Sequence, residues 1–237
     1  MLSEILLTTA LHRPYVVAFL ISFLVIGFLN RGIGRTLLFL ILGFTIPYLS
    51  EISSIRNGFP YGMYHYRYDA MVGEWIVLGV PIWSSLSYSF LAYASYEMAS
   101  YFKCSENPTW SLPLSCSILM VMMDIVADPL AVQGSKCFLG DIFYYPHGGP
   151  YFGVPLSNFA GWLLVALCIF FSYDRLEKKF FSSPPPLRKP HFGPLFYWGI
   201  LAFNFIITFW IGAWPLACVG LGMHLLSLGV LKLFKMR

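Results

Sequence analysis

The constraint that dominates this chain is the recurrence of long apolar runs with almost no charge inside them. A helix needs roughly 20 predominantly apolar residues to cross about 30 Å of hydrocarbon. Seven such runs follow one another, at 14–29, 33–52, 75–99, 110–132, 154–173, 194–211 and 215–234. Composition agrees: 58% of the 237 residues are hydrophobic and 11% are charged, against about 25% charge in a soluble domain. Such a chain cannot cover a water-facing surface, which excludes soluble enzymes, nucleic-acid-binding domains and disordered regulators. No nucleic acid is expected as a partner. The expected fold is a single integral-membrane domain, 1–237: an all-α, polytopic transmembrane helix bundle in contact with membrane lipid.

Proline interrupts the third run at Pro81 and the fourth at Pro113 and Pro129, and residues 212–214 make a tight hairpin of the last two. With seven spans, one side of the membrane collects Arg31, Arg35, Lys103, Arg175, Lys178, Lys179, Arg188, Lys189, Lys232, Lys235 and Arg237. The other side keeps Arg13, Arg56, Arg67 and Lys136. Eleven basic residues against four is a positive-inside bias that predicts a cytoplasmic C-terminus and an outer N-terminus. The net charge of +4 is therefore an orientation signal. The first apolar run is long and carries no small-residue cleavage pattern, so no cleavable signal peptide is expected. Residues 181–190, with Pro184, Pro185 and Pro186 among them, read as a stiff polar linker on the basic face. The five cysteines are scattered without a C-x-x-C pair, and are expected to be small apolar packing residues.

Carboxylates inside apolar runs are costly and normally face a cavity or a partner. Three stand out: Glu51 at the outer end of the second run, and Asp124 and Asp128 in the outer half of the fourth. The spacing of the two aspartates puts both on one helix face, about 6 Å apart. Pro129 removes a helical hydrogen bond and frees the Ile125 carbonyl beside them. Two carboxylates that close in a low dielectric cannot both ionise cheaply, so one of them is expected to hold a proton near neutral pH. A held proton is what a general acid needs. The competing reading is a structural pair satisfied by neighbouring hydroxyls.

Two connections on the outer side, 53–74 and 133–153, are crowded with Gly, Pro and Tyr. The first contains Gly58-Phe59-Pro60-Tyr61-Gly62-Met63-Tyr64-His65-Tyr66-Arg67-Tyr68, and the second ends in Gly148-Gly149-Pro150-Tyr151-Phe152-Gly153. Interfacial tyrosines ordinarily form a belt at the headgroup level. The close Gly and Pro punctuation suggests instead a folded loop packed over a site, where ring faces would stabilise a cation. Asn158, one turn into the fifth run, is placed to orient a water or a carboxyl group, or else to bond between helices.

Missing motifs narrow the chemistry. The five histidines form no H-x-x-x-H or H-x-x-H-H pair, unlike membrane di-iron oxygenases. Nucleotide-binding glycine loops, a G-x-S-x-G elbow and aspartate-rich diphosphate boxes are absent. The last run has no Lys before Lys232 to carry a buried Schiff base. Proton chemistry, or passive binding and transport, on a very apolar molecule remains.

The residues that survive this elimination have a family likeness. Glu51, the run Gly58-Phe59-Pro60-Tyr61-Gly62-x-Tyr64-x-Tyr66, and Gly79-Val80-Pro81 resemble the first half of the membrane carotenoid 1,2-hydratase family. Asp124-x-x-x-Asp128-Pro129-x-Ala131 and Gly149-Pro150-Tyr151-Phe152-Gly153-Val154-Pro155-Leu156-Ser157-Asn158-Phe159-x-Gly161-Trp162 resemble its second half more closely. The likeness runs from about residue 51 to residue 162. One departure is the stretch 136–145, which has no Trp where the family places them.

The resemblance implies addition of water across the terminal C1–C2 double bond of an acyclic (ψ) carotenoid end, giving a tertiary alcohol, with no cofactor and no metal. It also implies a hydrophobic carotenoid substrate, a bacterial or archaeal cell membrane, and other carotenoid-pathway enzymes as partners. Asp124 or Asp128, and after them Glu51, would protonate C2. Tyr61, Tyr64, Tyr66 and Tyr151, with Trp162, would bind the end group and face the cation. A second carboxylate, with Asn158, would deprotonate the attacking water. A carotenoid cyclase or isomerase would begin with the same protonation. A non-catalytic carotenoid- or lipid-binding protein, or a small transporter, would use the carboxyl groups structurally.

Overall fold

The computed structural model describes residues 2–102, 110–136 and 138–235, with side chains to residue 227. The expected Cys104, Cys137, Lys103, Lys232, Lys235 and Arg237 side chains lie outside that range. Seven long helices stand where apolar runs were expected: α2 (Pro14–Asn30), α3 (Ile33–Asn57), α4 (Ile82–Tyr101), α5 (Ser111–Ala131), α6 (Leu156–Phe180), α7 (Phe192–Trp210) and α8 (Trp214–Lys235). An eighth precedes them, α1 (Leu2–His12), turned by 94° from α2. Pro14 opens α2, where its missing N–H costs nothing. Four helices (α3, α5, α6 and α7) are long and apolar enough by themselves to cross a bilayer, and a fifth if α1 and α2 are counted as one bent span.

Helix α4 falls short of that measure for a physical reason. Residues Tyr88 to Ala99 are buried without interruption, because α4 is central and packs on α2, α3, α5 and α7. Its solvent is protein rather than lipid, so Ser85, Ser89, Ser95 and Glu97 are admitted there. Close approach of α3 depends on Gly43: a Cβ at that position would stand 2.9 Å from the Ser89 Cα. Small residues at such crossings are the usual currency of helix packing in membranes.

Helix α4 begins later than the third apolar run. Residues 75–81 form a hairpin of β2 (Ile76–Val77) and β3 (Val80–Pro81), pairing Ile76 with Pro81 and Val77 with Val80. Leu78 and Gly79 both have positive φ, the geometry of a two-residue hairpin turn. Pro81 is extended at the N-cap, so the helix starts at residue 82. In α5, by contrast, Pro129 is carried within the helix.

The two Gly, Pro and Tyr-rich loops cap one end of the bundle and are laced together. Strand β1 (His65–Tyr66) pairs antiparallel with β4 (Phe143–Tyr144), and Arg67 bonds Asp141 at 2.9 Å. Arg13, at the α1–α2 bend, staples both loops: it pairs with Glu74 at 2.9 Å and donates to the Leu139 carbonyl at 2.7 Å. At the opposite end Arg31 meets Glu97 at 2.6 Å and Arg35 meets Glu177 at 2.7 Å. The proline-rich segment is docked there, through Leu187 N–H to the Asn30 carbonyl, Lys189 N–H to Asn30 Oδ1, and Arg35 to the Ser183 carbonyl. Three arginines counted as orientation charges are thus also buried ion-pair partners. Truncating one member of such a pair strands the other, at about 3–5 kcal/mol.

Candidate active site

Under the laced loops lies a cavity of ≈170 Å³, bordered by Glu51, Asp128 and Asn158 and otherwise by mainly aromatic side chains. Helical periodicity delivers the polar groups. Gly43, Pro47, Glu51 and Ser54 lie on the buried stripe of α3, and Asn158, Gly161, Trp162 and Val165 on that of α6. The Ser54 hydroxyl accepts the Tyr61 N–H at 3.1 Å, which returns the first loop onto the bundle. Gly161 leaves the space for it: a Cβ there would stand 2.7 Å from the Pro60 carbonyl oxygen and 2.8 Å from the Tyr61 ring.

The carboxyl groups form two stations. Glu51, 2% exposed, accepts hydrogen bonds at Oε1 from Tyr66 Oη (2.8 Å) and Ser84 Oγ (2.6 Å), and at Oε2 from Ser85 Oγ. Across the cavity the Asn158 amide donates to Asp124 Oδ2 at 3.0 Å and to Asp128 Oδ2 at 2.7 Å. Asp128 also faces Trp162 and Tyr145 within hydrogen-bonding reach. Asp128 borders the cavity, whereas Asp124, 1% exposed, sits one helical turn deeper and does not. Among the described residues none of the three carboxyl groups has a Lys or Arg partner. Among the described residues their immediate partners are neutral hydroxyl, amide and indole donors.

The aromatic wall divides into two parts. Tyr88 and Trp162 stack at 4.3 Å and 16°, with Tyr61 tilted against both at 6.1 and 6.4 Å. Tyr64 meets Tyr66 edge-on at 5.4 Å and Tyr145 at 6.0 Å. Burial pushes the phenols of Tyr61, Tyr64, Tyr66 and Tyr145 well above the ordinary tyrosine range, so all four are neutral with uncharged ring faces. Trp83 borders the cavity, and its indole N–H has no partner among the described residues. The Arg13 guanidinium covers the Trp83 ring at 4.5 Å.

Of the residues expected from sequence, Glu51, Asp128, Asn158, Tyr61, Tyr64, Tyr66 and Trp162 converge on one cavity. Tyr151 does not border it. Its ring packs edge-on against Phe152 and Phe159, and its phenol is pushed up to about 12 by burial and by the nearby Asp124. Ser84, Ser85, Trp83, Tyr88 and Tyr145 were not anticipated. The signal for the first three was available: they follow Gly79-Val80-Pro81 directly, in the first turn of α4. Glu97 was also passed over, although it lies within an apolar run; it belongs to the ion pair at the opposite end of the bundle. Among the described residues no group of three His, Cys, Asp or Glu side chains is assembled as a metal site.

Known sequences match most of the chain. The family described as "Carotenoid biosynthesis protein" matches residues 12–227. A relative from Haloarcula japonica, named bisanhydrobacterioruberin hydratase, is 28% identical over 201 residues, covering 82% of this chain and 64% of the relative. The chain therefore spans less than two thirds of that relative's length. No solved structure matches. The match over residues 12–227, nearly the whole chain, places this chain in the carotenoid biosynthesis protein family.

Proposed function

We propose that the protein hydrates an acyclic carotenoid end group, adding water across the terminal C1–C2 double bond without a cofactor. The observation that carries this reading is the pair of carboxyl stations facing one aromatic cavity, Asp128 with Asn158 on one side and Glu51 with its three hydroxyl donors on the other. Asp128, holding a proton that it shares directly with Asp124 while Asn158 donates to both, protonates C2. The positive charge that develops at C1 lies against the Tyr88–Trp162 stack and Tyr61, where cation–π attraction is worth roughly 0.5–2 kcal/mol per ring. It is kept from the Trp83 face, which is already covered by Arg13. A water held among Ser84, Ser87 and Tyr66 attacks C1, and Glu51 takes its proton. The sum is one water added, and the proton on Glu51 returns to the aspartate pair after product leaves. A positioned acid and base contribute typically 10²–10⁴-fold each.

Glu51, held by three hydroxyl donors beside the cavity, is placed to serve as the base, and the paired aspartates as the acid. The name of the Haloarcula relative, a hydratase, supports water as the nucleophile. Helices α4 and α8 would cross the membrane together with the more apolar helices, giving the seven spans and the cytoplasmic C-terminus that the charge bias suggests.

The test is expression in cells that accumulate lycopene, with mass analysis of the pigments formed in isotopically labelled water. Label in a tertiary alcohol supports hydration. Label arriving from dioxygen refutes it, and a ring without oxygen would identify a cyclase.

A further inference from the structure

The cavity accounts for an end group but not for the chain attached to it. Its ≈170 Å³ is below the roughly 300–1,000 Å³ that encloses a drug-sized ligand, so a long polyene must leave through a wall. Most walls are closed. The loops are tied across the top by β1 and β4, α3 packs against α4 through Gly43, and α5 lies along α6. The cavity lining reaches along Ser87 and Leu91 of α4 to Phe19 of α2 and Phe203 of α7.

The seam between helices α2 and α7 is filled by rings. Phe203 meets Phe19 edge-on at 5.4 Å and stacks on Tyr15 at 5.7 Å, while Tyr15 meets Phe138 at 5.7 Å. Phe19, Tyr15 and Phe203 are half-buried, and Phe138 is 48% exposed. Beyond them Ile206 is 67% exposed on the outward face of α7. The path from carboxyl groups to lipid-facing surface thus crosses a layer of aromatic side chains with no main-chain ladder to break. Opening it requires rotation of side chains, which is fast compared with helix movement.

We propose that the α2–α7 seam is a lateral entrance for the apolar polyene, gated by Phe203 against Phe19 and Tyr15, and that the chain stays lodged there while its end reacts. The proposal rests on the carotenoid reading of the cavity. Its consequence is specificity by chain length. A long substrate must displace the gate throughout the reaction, whereas a ten-carbon acyclic terpene with the same terminal double bond fits behind it.

The test uses the full chain in lycopene-accumulating cells and in detergent. Phe203→Trp, which fills the seam, should lower the lycopene that co-purifies with the protein at least fivefold. It should cut turnover of lycopene at least tenfold more than turnover of the ten-carbon substrate, and Phe203→Ala should reverse that discrimination. Equal pigment retention by wild type and Phe203→Trp overturns the entrance, as does an equal loss of turnover on both substrates. A wild type that retains pigment but never hydrates it refutes the reaction, while the retention comparison still decides the entrance. Asp128→Asn is the control: it should retain pigment and lose turnover.

Discussion

Replacing Asp128 by Asn removes a carboxyl proton from the cavity while leaving its shape almost unchanged. The amide is isosteric, and its oxygen can still accept the bond that Asn158 now donates at 2.7 Å. Loss of a general acid costs 10²–10⁴-fold, or about 2.7–5.4 kcal/mol at 1.36 kcal/mol per decade. Asp124→Asn should cost less, because Asp124 does not border the cavity and acts by sharing Asn158 with Asp128. Loosening one hydrogen bond to a charged group, worth about 1.5–3 kcal/mol, corresponds to roughly 10–10²-fold. The assay is the rate of tertiary-alcohol formation from lycopene, normalised to folded protein in the membrane. If Asp124→Asn is the more damaging of the two at equal folding, the deeper residue is the acid and the geometric argument fails. If both variants keep full rate, the aspartates are structural.

Glu51→Gln should lower turnover by a similar 10²–10⁴-fold, with pigment binding retained, since an amide cannot take the water's proton; unchanged turnover would remove Glu51 from the mechanism. Trp162→Leu, which deletes one face of the stacked pair beside Asp128, should slow the reaction roughly 2–30-fold, following the 0.5–2 kcal/mol of a cation–π contact. Trp162→Phe should recover much of that loss, and failure to recover would point to the indole N–H instead. Glu97→Gln strands Arg31 in the buried pair at the opposite end, so it should destabilise by about 3–5 kcal/mol in detergent unfolding. Turnover per folded molecule should be unaffected.

Much of the site was legible because membrane burial makes polar residues conspicuous. Glu51, Asp124 and Asp128 stood out against apolar runs, and helical periodicity alone put the aspartates on one face. What periodicity cannot give is which of two residues on a face reaches a cavity. Asp128 reaches it because it lies nearer the capped end of α5, whereas Asp124 is enclosed one turn below. Tyr151 looked equivalent to Tyr61 in sequence, both being tyrosines beside glycines. Its ring turned inward against Phe159, while Tyr61 was admitted to the cavity by the absent side chain of Gly161. The run 75–99 looked uniform and yet divided into a hairpin and a helix. Apolarity reports burial and is silent on backbone geometry, which Gly79 and Pro81 decided locally.

The sequence by itself determined the solvent, the helical class, the rough position of each helix and the candidate carboxyl groups, because hydropathy and charge cost act residue by residue. Tertiary structure decided that Glu51 and Asp128 border one cavity, that Arg13, Arg31 and Arg35 are paired internally, and that a seam of rings lines the cavity between α2 and α7. These depend on contacts between residues far apart in the chain, such as Arg13 with Glu74 and Asp128 with Asn158, whose spacing along the chain carries no signal. Only folding brings them within bonding distance.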